Sequence, residues 1–484
     1  MQSFGGRQLA RALGPWSRIE DSGPAYARLA AAIRMLILDG RVPLDARLPG
    51  ERELAGVLGV SRTTVTAAYD LLRSTGYAAS RQGSGTRTTL PATHTSSLAG
   101  SFWSPFGPDG SDILDLAHAA PEAPERTLHE AYEVALSQLP RYLPTCGYDL
   151  FGLPALRAAI AHRFTVRGLP TIPEQILVTS GAQHAFSLAL SVFTDPGDRV
   201  LIEHPTYPNA IDAIRRLNAR TVPVAFAGNG WDTDAFAAAL RQTGPRLAYL
   251  VPDFHNPTGL TATAVERDAL ASSLAENRTV AVVDETLSEL ALEGDAPAPF
   301  ATCLPDQLAV TVGSVSKPFW GGLRIGWIRA DTTTVRRLAS ARATSDISSA
   351  MLEQLATVEL LTRMDDVLPS RREELRNRRD ALMSAIDTQL PGWSVRRPRG
   401  GLVLWCDLGS PVSSRLVAAA ERHGLRLAAG PRFGVDGAFE RRLRLPYTLP
   451  VQTLEHAVDV LAQAYAAVTD GTAISTANIH DLFA

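Results

Sequence analysis

Between residues 176 and 314 the chain repeats one pattern: a short apolar run that ends in a polar loop. The runs are Ile176-Leu-Val-Thr, Arg199-Val-Leu-Ile-Glu, Leu247-Ala-Tyr-Leu-Val, Thr279-Val-Ala-Val-Val-Asp and Leu308-Ala-Val-Thr-Val. Strands that are apolar along their whole length have both faces covered, and strands separated by helical stretches pair in parallel. The pattern predicts an α/β body with a mostly parallel central sheet and helices on both faces. Such a sheet binds its ligand at the carboxyl ends of the strands. Here those ends read Ser180-Gly-Ala-Gln183, His204-Pro-Thr-Tyr207, Asp253-Phe-His-Asn256, Asp284 and Gly313-Ser-Val-Ser-Lys317. Beyond Asp331 the pattern turns helical and rich in Arg and Glu, and a small α/β subdomain is expected from about residue 390.

Lys317 is the only lysine in the chain; the other 46 of its 47 Lys and Arg residues are arginine. An ammonium can lose its proton and attack a carbonyl, whereas a guanidinium stays charged. A lysine kept against an all-arginine background therefore points to a Schiff base with an aldehyde. Its neighbours Ser314, Ser316 and Arg324 suit a phosphate, as do the amides of Gly181, Ala182 and Gln183 where a helix opens. Tyr207 is placed to stack on a pyridine, Asn256 to donate to a ring hydroxyl, and Asp284 to keep the ring nitrogen protonated. Aldehyde, phosphate and pyridine together make pyridoxal 5′-phosphate (PLP), which is the cofactor predicted. Lys317 and Asp284 are the expected catalytic pair.

The first ninety residues differ in charge from the rest. They hold twelve Arg against seven Asp and Glu, a net of +5, so the remainder carries −8 of the total −3. A basic module on an acidic body suggests a polyanion as partner of the module alone. After a Gly-, Arg- and Ser-rich start, Tyr26, Leu29, Ala30, Ile33, Ile37 and Leu38 fall at helical spacing. A short helix over about Glu51–Leu58 stops at Gly59, and Ser61 caps a second one running to about Ser74. Two short helices joined by a tight glycine turn form a helix-turn-helix. Ser61, Arg62, Thr63 and Thr64 then lie at the start of the recognition helix, where base edges and phosphates of a duplex are met. Two short strands around Arg81-Gln-Gly-Ser-Gly85 form a hairpin wing.

This module resembles the GntR family of winged-helix regulators through Leu48-Pro49, Glu51-Arg-Glu-Leu-Ala55, Leu58-Gly-Val-Ser-Arg62, Thr64-Val65 and Gly83-Ser-Gly85. The resemblance implies DNA contacts by Arg52, Arg62, Thr63, Thr64, Gln82 and Gly83. Gly50 departs from the family's polar capping residue. The body resembles fold-type I, class I aminotransferases through Ser180-Gly-Ala-Gln183, Pro205-Thr-Tyr-Pro208, His255-Asn-Pro-Thr-Gly259, Asp284, Ser314-Val-Ser-Lys317 with Gly322-Leu-Arg-Ile-Gly326, Pro398-Arg-Gly-Gly401 and Arg444. That resemblance implies an Arg444 that grips a substrate carboxylate. It also implies a Tyr142 that reaches the phosphate of a neighbouring subunit, hence a homodimer. The family's tyrosine two or three residues after the ring-nitrogen aspartate is absent; Thr286 and Leu287 stand there, which argues against efficient turnover.

In order, the two halves resemble the MocR subgroup of GntR regulators. The expected organisation is a loosely ordered 1–23, a winged helix over 24–88, a linker over 89–115 and a PLP-binding body over 116–484. The expected function is a PLP-dependent regulator that binds a double-stranded operator. It would sense a small amine or amino acid, or PLP itself, by exchange at Lys317. The alternative is a working aminotransferase with an appended regulatory module. No long uncharged apolar run or signal-peptide core occurs, so no membrane span is expected and the cytoplasm is the default expectation. Cys146, Cys303 and Cys406 lack paired spacing, so neither a disulfide framework nor a metal site is expected.

Overall fold

The structure is a computed structural model and describes residues 5–14, 16, 24–38, 42, 45–81, 85–89, 113–228, 230–435 and 437–469. The head contains α1 (Gly6–Leu13), α2 (Ala25–Leu38), α3 (Glu51–Leu58), α4 (Arg62–Ser74) and the hairpin of β1 (Ala78–Arg81) and β2 (Gly85–Thr88). The helix-turn-helix and wing stand where the sequence puts them. Gly59 closes α3 in the left-handed conformation at φ 67°, and the Ser61 hydroxyl caps α4 by accepting from the Thr64 amide at 3.1 Å. Val65, Ala68, Tyr69 and Leu72 of α4 pack with Leu29, Ala30, Ile33 and Ile37 of α2 in one core. Tyr26, read as part of that face, is exposed instead. Arg73 ties the end of α4 to the wing by donating to Ser80 and Thr86 at 3.2 and 3.3 Å.

Two boundaries need correction. Residues 1–23, expected to be loose, contain α1. Leu9 is buried in the head core, and the Gly6 amide donates to Glu53 at 2.6 Å. A polar, Gly-rich composition hid a helix that packs Leu9, Ala12 and Leu13 on the head core and has its first amide met by Glu53. The linker, expected to reach residue 115, ends earlier, because β3 (Leu114–Leu116) is already part of a sheet. Phe102, Trp103 and Phe106, read as possible docking points of the linker, lie outside the described residues, as do Gln82 and Gly83 of the wing.

The body is built on an eight-stranded sheet. Its strands are β4 (Ile176–Thr179), β5 (Arg199–His204), β6 (Arg220–Ala227), β7 (Gly230–Trp231), β8 (Leu247–Leu250), β9 (Val280–Asp284), β10 (Ala309–Ser314) and β11 (Gly326–Arg329). The order is β4-β11-β10-β9-β8-β5-β6-β7; β10, β9, β8, β5 and β6 run parallel, and β4, β11 and β7 pair by antiparallel contacts. Alternate residues feed two separate cores. Leu201, Ala248, Leu250, Ala281 and Val283 enter one; Val200, Ile202, Leu247, Tyr249 and Val282 enter the other. Two covered faces explain why the runs are apolar without alternation. Some arginines serve as interior struts rather than surface charge: Arg342 is fully buried and donates to the carbonyls of Leu150 and Val178.

The second sheet joins β12 (Ser394–Val395), β13 (Val403–Asp407), β14 (Leu425–Ala429) and β15 (Arg442–Pro446) to β3, in the order β12-β13-β15-β14-β3. The strands of this sheet that follow the main body begin at Ser394, and the sheet also recruits a strand from the far end of the body. β3 runs parallel to β14, with Leu114 paired to Leu425. Among the described residues no helix is long and apolar enough to cross a membrane, and no group of His, Cys, Asp or Glu is placed to hold a metal ion.

Ser61→Ala removes one hydrogen-bonded cap, which costs a helix about 1 kcal/mol. Amide exchange in α4 of the full chain should then speed up by roughly fivefold, with exchange in β8–β10 unchanged. Equal protection in both chains would show the cap to be idle.

Candidate active site and DNA-reading helix

A cleft of about 300 Å³ opens at the carboxyl ends of β5, β8, β9 and β10 and is closed by the small sheet. It gathers Ala182, Gln183, Tyr207, Asn256, Asp284, Ser316, Lys317, Arg324 and Arg444. The parallel register brings residues far apart in sequence to one edge: Asp284 lies beside Val312 of β10, five residues before the lysine.

Lys317 donates from Nζ to the carbonyl of Ala119 at 2.7 Å. Enclosure of its ammonium lowers its pKa to about 8; Arg444 and Arg324 push the same way, against the pull of Asp284. Arg444, on β15, is 5 % exposed and donates to the Ala117 carbonyl, with its guanidinium 5.0 Å from the centre of the Phe433 ring. Burial and neighbouring Arg432 lower its pKa to about 10. Tyr207 opens the helix Pro208–Arg216 and accepts from Asn209 at 2.9 Å; burial, then Asp284, raises its phenol to about 12.

The phosphate end is assembled from backbone. Helix Ala182–Phe193 starts at Gly181, whose φ of 87° suits glycine, and a Cβ there would stand 2.7 Å from Nη2 of Arg324. Gly326 presses on the same turn, where a Cβ would meet Gly181 backbone at 2.6 Å. Arg324 donates to Ser180 O at 3.1 Å, so its guanidinium sits against the first turn of that helix. Ser316 faces the cleft. Ser314 does not: its hydroxyl donates to Ile325 O at 2.9 Å and accepts from the Ser316 amide at 3.1 Å, bracing the loop from behind. Tyr142 ends a short turn outside the cleft of its own chain.

Three features escaped the sequence reading. Tyr249 of β8 donates to Asp284 at 2.8 Å, a hydroxyl brought from a neighbouring strand where the local Thr286 and Leu287 offer no phenol. Burial, then Asp284, raises the Tyr249 phenol well above its usual value. Arg432, in the turn Gly430–Phe433, also lines the cleft. The strap Ala117–Ala119 supplies both carbonyls that hold Arg444 and Lys317. Only the apolar run around Tyr249 marked that residue, and such a run marks core equally well. Nothing local distinguishes the other two.

The donor set fits PLP. Besides an amine of lowered pKa, a helix start and a strand-end carboxylate, the side-chain oxygens of Gln183 and Asn256 are buried at the cleft without a protein hydrogen bond. A buried amide oxygen without a protein partner inside a cleft calls for a ligand or a water to meet it.

Residues 116–461 match the family model for aminotransferase class I and II, and residues 25–87 match that for bacterial regulatory proteins of the gntR family. The chain belongs to the class I and II aminotransferase family. That family depends on PLP, and here a GntR DNA-binding domain is fused to its fold. A 2-aminoadipate transaminase of Thermus thermophilus is 34% identical over 71% of this chain and 85% of its own length. The HTH-type transcriptional regulator YdcR of Escherichia coli is 28% identical over 87% of this chain and 94% of its own. In structure, the α-aminoadipate aminotransferase LysN of Thermus thermophilus, complexed with N-(5′-phosphopyridoxyl)-L-leucine, aligns with a TM-score of 0.68 and 31% identity. That alignment covers 74% of this chain and 93% of that one.

In the GntR domain, Arg52, Ser61, Arg62 and Thr63 are exposed at one end of the helix pair, with Thr64 half-buried. Ser61 is engaged as the cap of α4, and Arg62 rests 3.4 Å from Glu51 in an exposed pair weak enough to open.

With its pKa near 8, roughly a tenth of Lys317 is neutral at pH 7, several hundred times more than for an ordinary lysine. The rate at which cofactor-free protein takes up PLP, followed by absorbance, should rise with pH through about 8 and then level. A rise continuing towards pH 10 contradicts this. Borohydride should then fix one pyridoxyl group on the peptide carrying Lys317.

Proposed function

We propose that the protein is a PLP-dependent transcriptional regulator whose aminotransferase domain senses an amino compound and passes the signal to the GntR domain. One observation carries this reading. Both cations that would meet the ligand, Lys317 and Arg444, are held by carbonyls of one strap, Ala119 and Ala117, which follows directly on β3 and the segment leading to the head.

Bound PLP supplies an aldehyde and an electron-poor ring that accept an amino group. Lys317 would hold that aldehyde through Nζ, where its lowered pKa leaves an amine able to give and take protons. Asp284, steadied by Tyr249 and the Thr286 amide, keeps a proton on the ring nitrogen. Tyr207 and Asn256 would hold the ring. Arg324, Ser316, Gln183 and the amides of the first helical turn after Gly181 hold the phosphate, with Ser314 bracing them. A ligand carboxylate that takes Arg444 in a fork competes with the Ala117 carbonyl for the same guanidinium. The strap is then released from one partner or both, and β3 with it feels which ligand is present. Coupling requires that the ligand bind the two strap arrangements with different affinity.

In the head, Arg52, Arg62, Thr63 and Thr64 meet the operator, and Ser61 orders the helix that carries them. Gln82 and Gly83 at the wing complete the contact. A homodimer, with Tyr142 reaching the partner's phosphate site, presents two heads to paired half-sites.

A second reading, a working aminotransferase with an appended regulatory module, is favoured by the 34% identity to a transaminase. Amino acid followed by keto acid separates the two: repeated return of the absorbance marks turnover, a lasting shift marks a sensor.

The operator test uses the DNA beside the gene in a mobility shift. Ligand should change affinity only with PLP bound. Arg444→Gln should still load PLP and bind DNA but lose the response. Arg62→Ala should weaken specific binding by about 1–3 kcal/mol. Affinity indifferent to PLP and to every amine overturns the regulator.

A further inference from the structure

We propose that helix α1 is a second DNA-binding element, whose Arg7 and Arg11 hold the phosphate backbone beside the stretch met by α3 and α4. This rests on the operator binding proposed above. It adds a contact surface that lies before residues 25–87, the part of the head that matches the gntR family model.

The placement of α1 comes first. The first turn of α3 is gripped from two sides. Glu51 accepts from Thr66 at 2.9 Å and pairs with Arg62 at 3.4 Å, which ties it to the start of α4. Glu53 accepts from the Gly6 amide at 2.6 Å, which ties it to the start of α1. That second contact is close: a Cβ on Gly6 would stand 2.9 Å from Oε1 of Glu53. With 3.6 residues per turn, Glu51 and Glu53 diverge by about 200° around the axis, and Arg52 projects between them. The starts of α1, α3 and α4 therefore share one end of the head. It is the end that carries Arg52, Arg62 and Thr63, all exposed.

Helix α1 presents cations there. Leu9 is buried in the head core, and Ala12 and Leu13 pack against it, which defines the inner face. Arg7 and Arg11, four residues apart, fall together on the opposite face, and both are exposed. The helix contains no acidic residue. The nearest carboxylates of α3 are engaged elsewhere. Glu51 turns towards α4, and Glu53 sits on the amide end of α1, where the helix dipole favours a negative charge. Ion pairs among the described residues of the head join Arg62 to Glu51, Arg73 to Asp70 and Arg87 to Asp45. Arg7, Arg11 and Arg52 take part in none of them.

Outward cations at regular spacing fit a polyanion of regular spacing. Each DNA strand carries a phosphate about every 3.4 Å along the axis, and two arginines one turn apart are offset by roughly 6 Å. Arg7 and Arg11 thus reach neighbouring phosphates of one strand. Contacts of this kind strengthen and orient binding without reading sequence. The acidic body of the same chain, with its net −8, is the competing partner for these cations.

The experiment titrates the PLP-loaded full chain onto the DNA beside its gene, and onto an unrelated duplex, across a range of salt. Arg7→Gln combined with Arg11→Gln should weaken binding to both duplexes by the same factor. It should also make the fall of log affinity with log salt shallower by about 1–2. One or two phosphates whose ethylation blocks the native chain should no longer matter to this variant. Arg7→Lys combined with Arg11→Lys keeps the charge and should keep the native slope. Amide exchange in α4 equal to the native chain's shows that the head is folded in both variants. A native slope and ethylation pattern in the Gln variant overturn the clamp. A loss confined to the operator overturns it too, because α1 would then be shaping the recognition helix. Tighter DNA binding by the Gln variant also overturns it and places α1 on the acidic body. A native chain that shifts neither duplex overturns operator binding and the clamp together, a result distinct from an α1 variant that binds as the native chain does.

Discussion

An amine and a guanidinium shut into one cleft must both find oxygen, and the rest of the site follows from where that oxygen comes from. Lys317 and Arg444 belong to different sheets, β10's loop and β15, and among the described residues neither is paired directly with a carboxylate. Backbone carbonyls of Ala117 and Ala119 meet them instead. A carbonyl carries only partial charge, so it holds a cation more loosely than an anion does. The cleft is thereby stable as a structure and still hungry for anions. That is what a binding site for a phosphorylated cofactor and a carboxylated ligand requires.

The strap can do this because β3 is an added strand. It lies at the edge of the small sheet, parallel to β14, although it is separated from β14 by some three hundred residues. Asp115 of β3 also meets Arg426 of β14 at 3.3 Å and His118 at 2.7 Å, so the strap is anchored on one side and free to answer the cleft on the other. β3 thus joins the small sheet at the edge from which the following strap, Ala117–Ala119, meets both cations of the cleft.

Much of this was legible in the residues alone. The five apolar runs gave the parallel sheet, since strands buried on both faces leave no room for polar alternation. Ser61, Gly59 and the recognition-helix start were readable because caps and stops act within four residues. Lys317 stood out because every other cation is arginine. The polar ends of β4, β5, β9 and β10 came together as expected, because in a parallel sheet all carboxyl ends share one edge.

The misses have a common cause. Helix α1 depends on Leu9, on the partly buried Ala12 and Leu13, and on Glu53, a partner forty-seven residues away. Tyr249, Arg432 and the Ala117–Ala119 strap owe their roles to neighbours on other strands, and Ser314 turns away from the cleft because Ile325, eleven residues on, claims its hydroxyl. The amino-acid sequence determined which elements form and which chemistry they can carry, since periodicity, capping and side-chain reactivity are local. Only the tertiary structure decided which of these groups meet, because β-sheet order and register bring together residues between which the chain itself sets no distance.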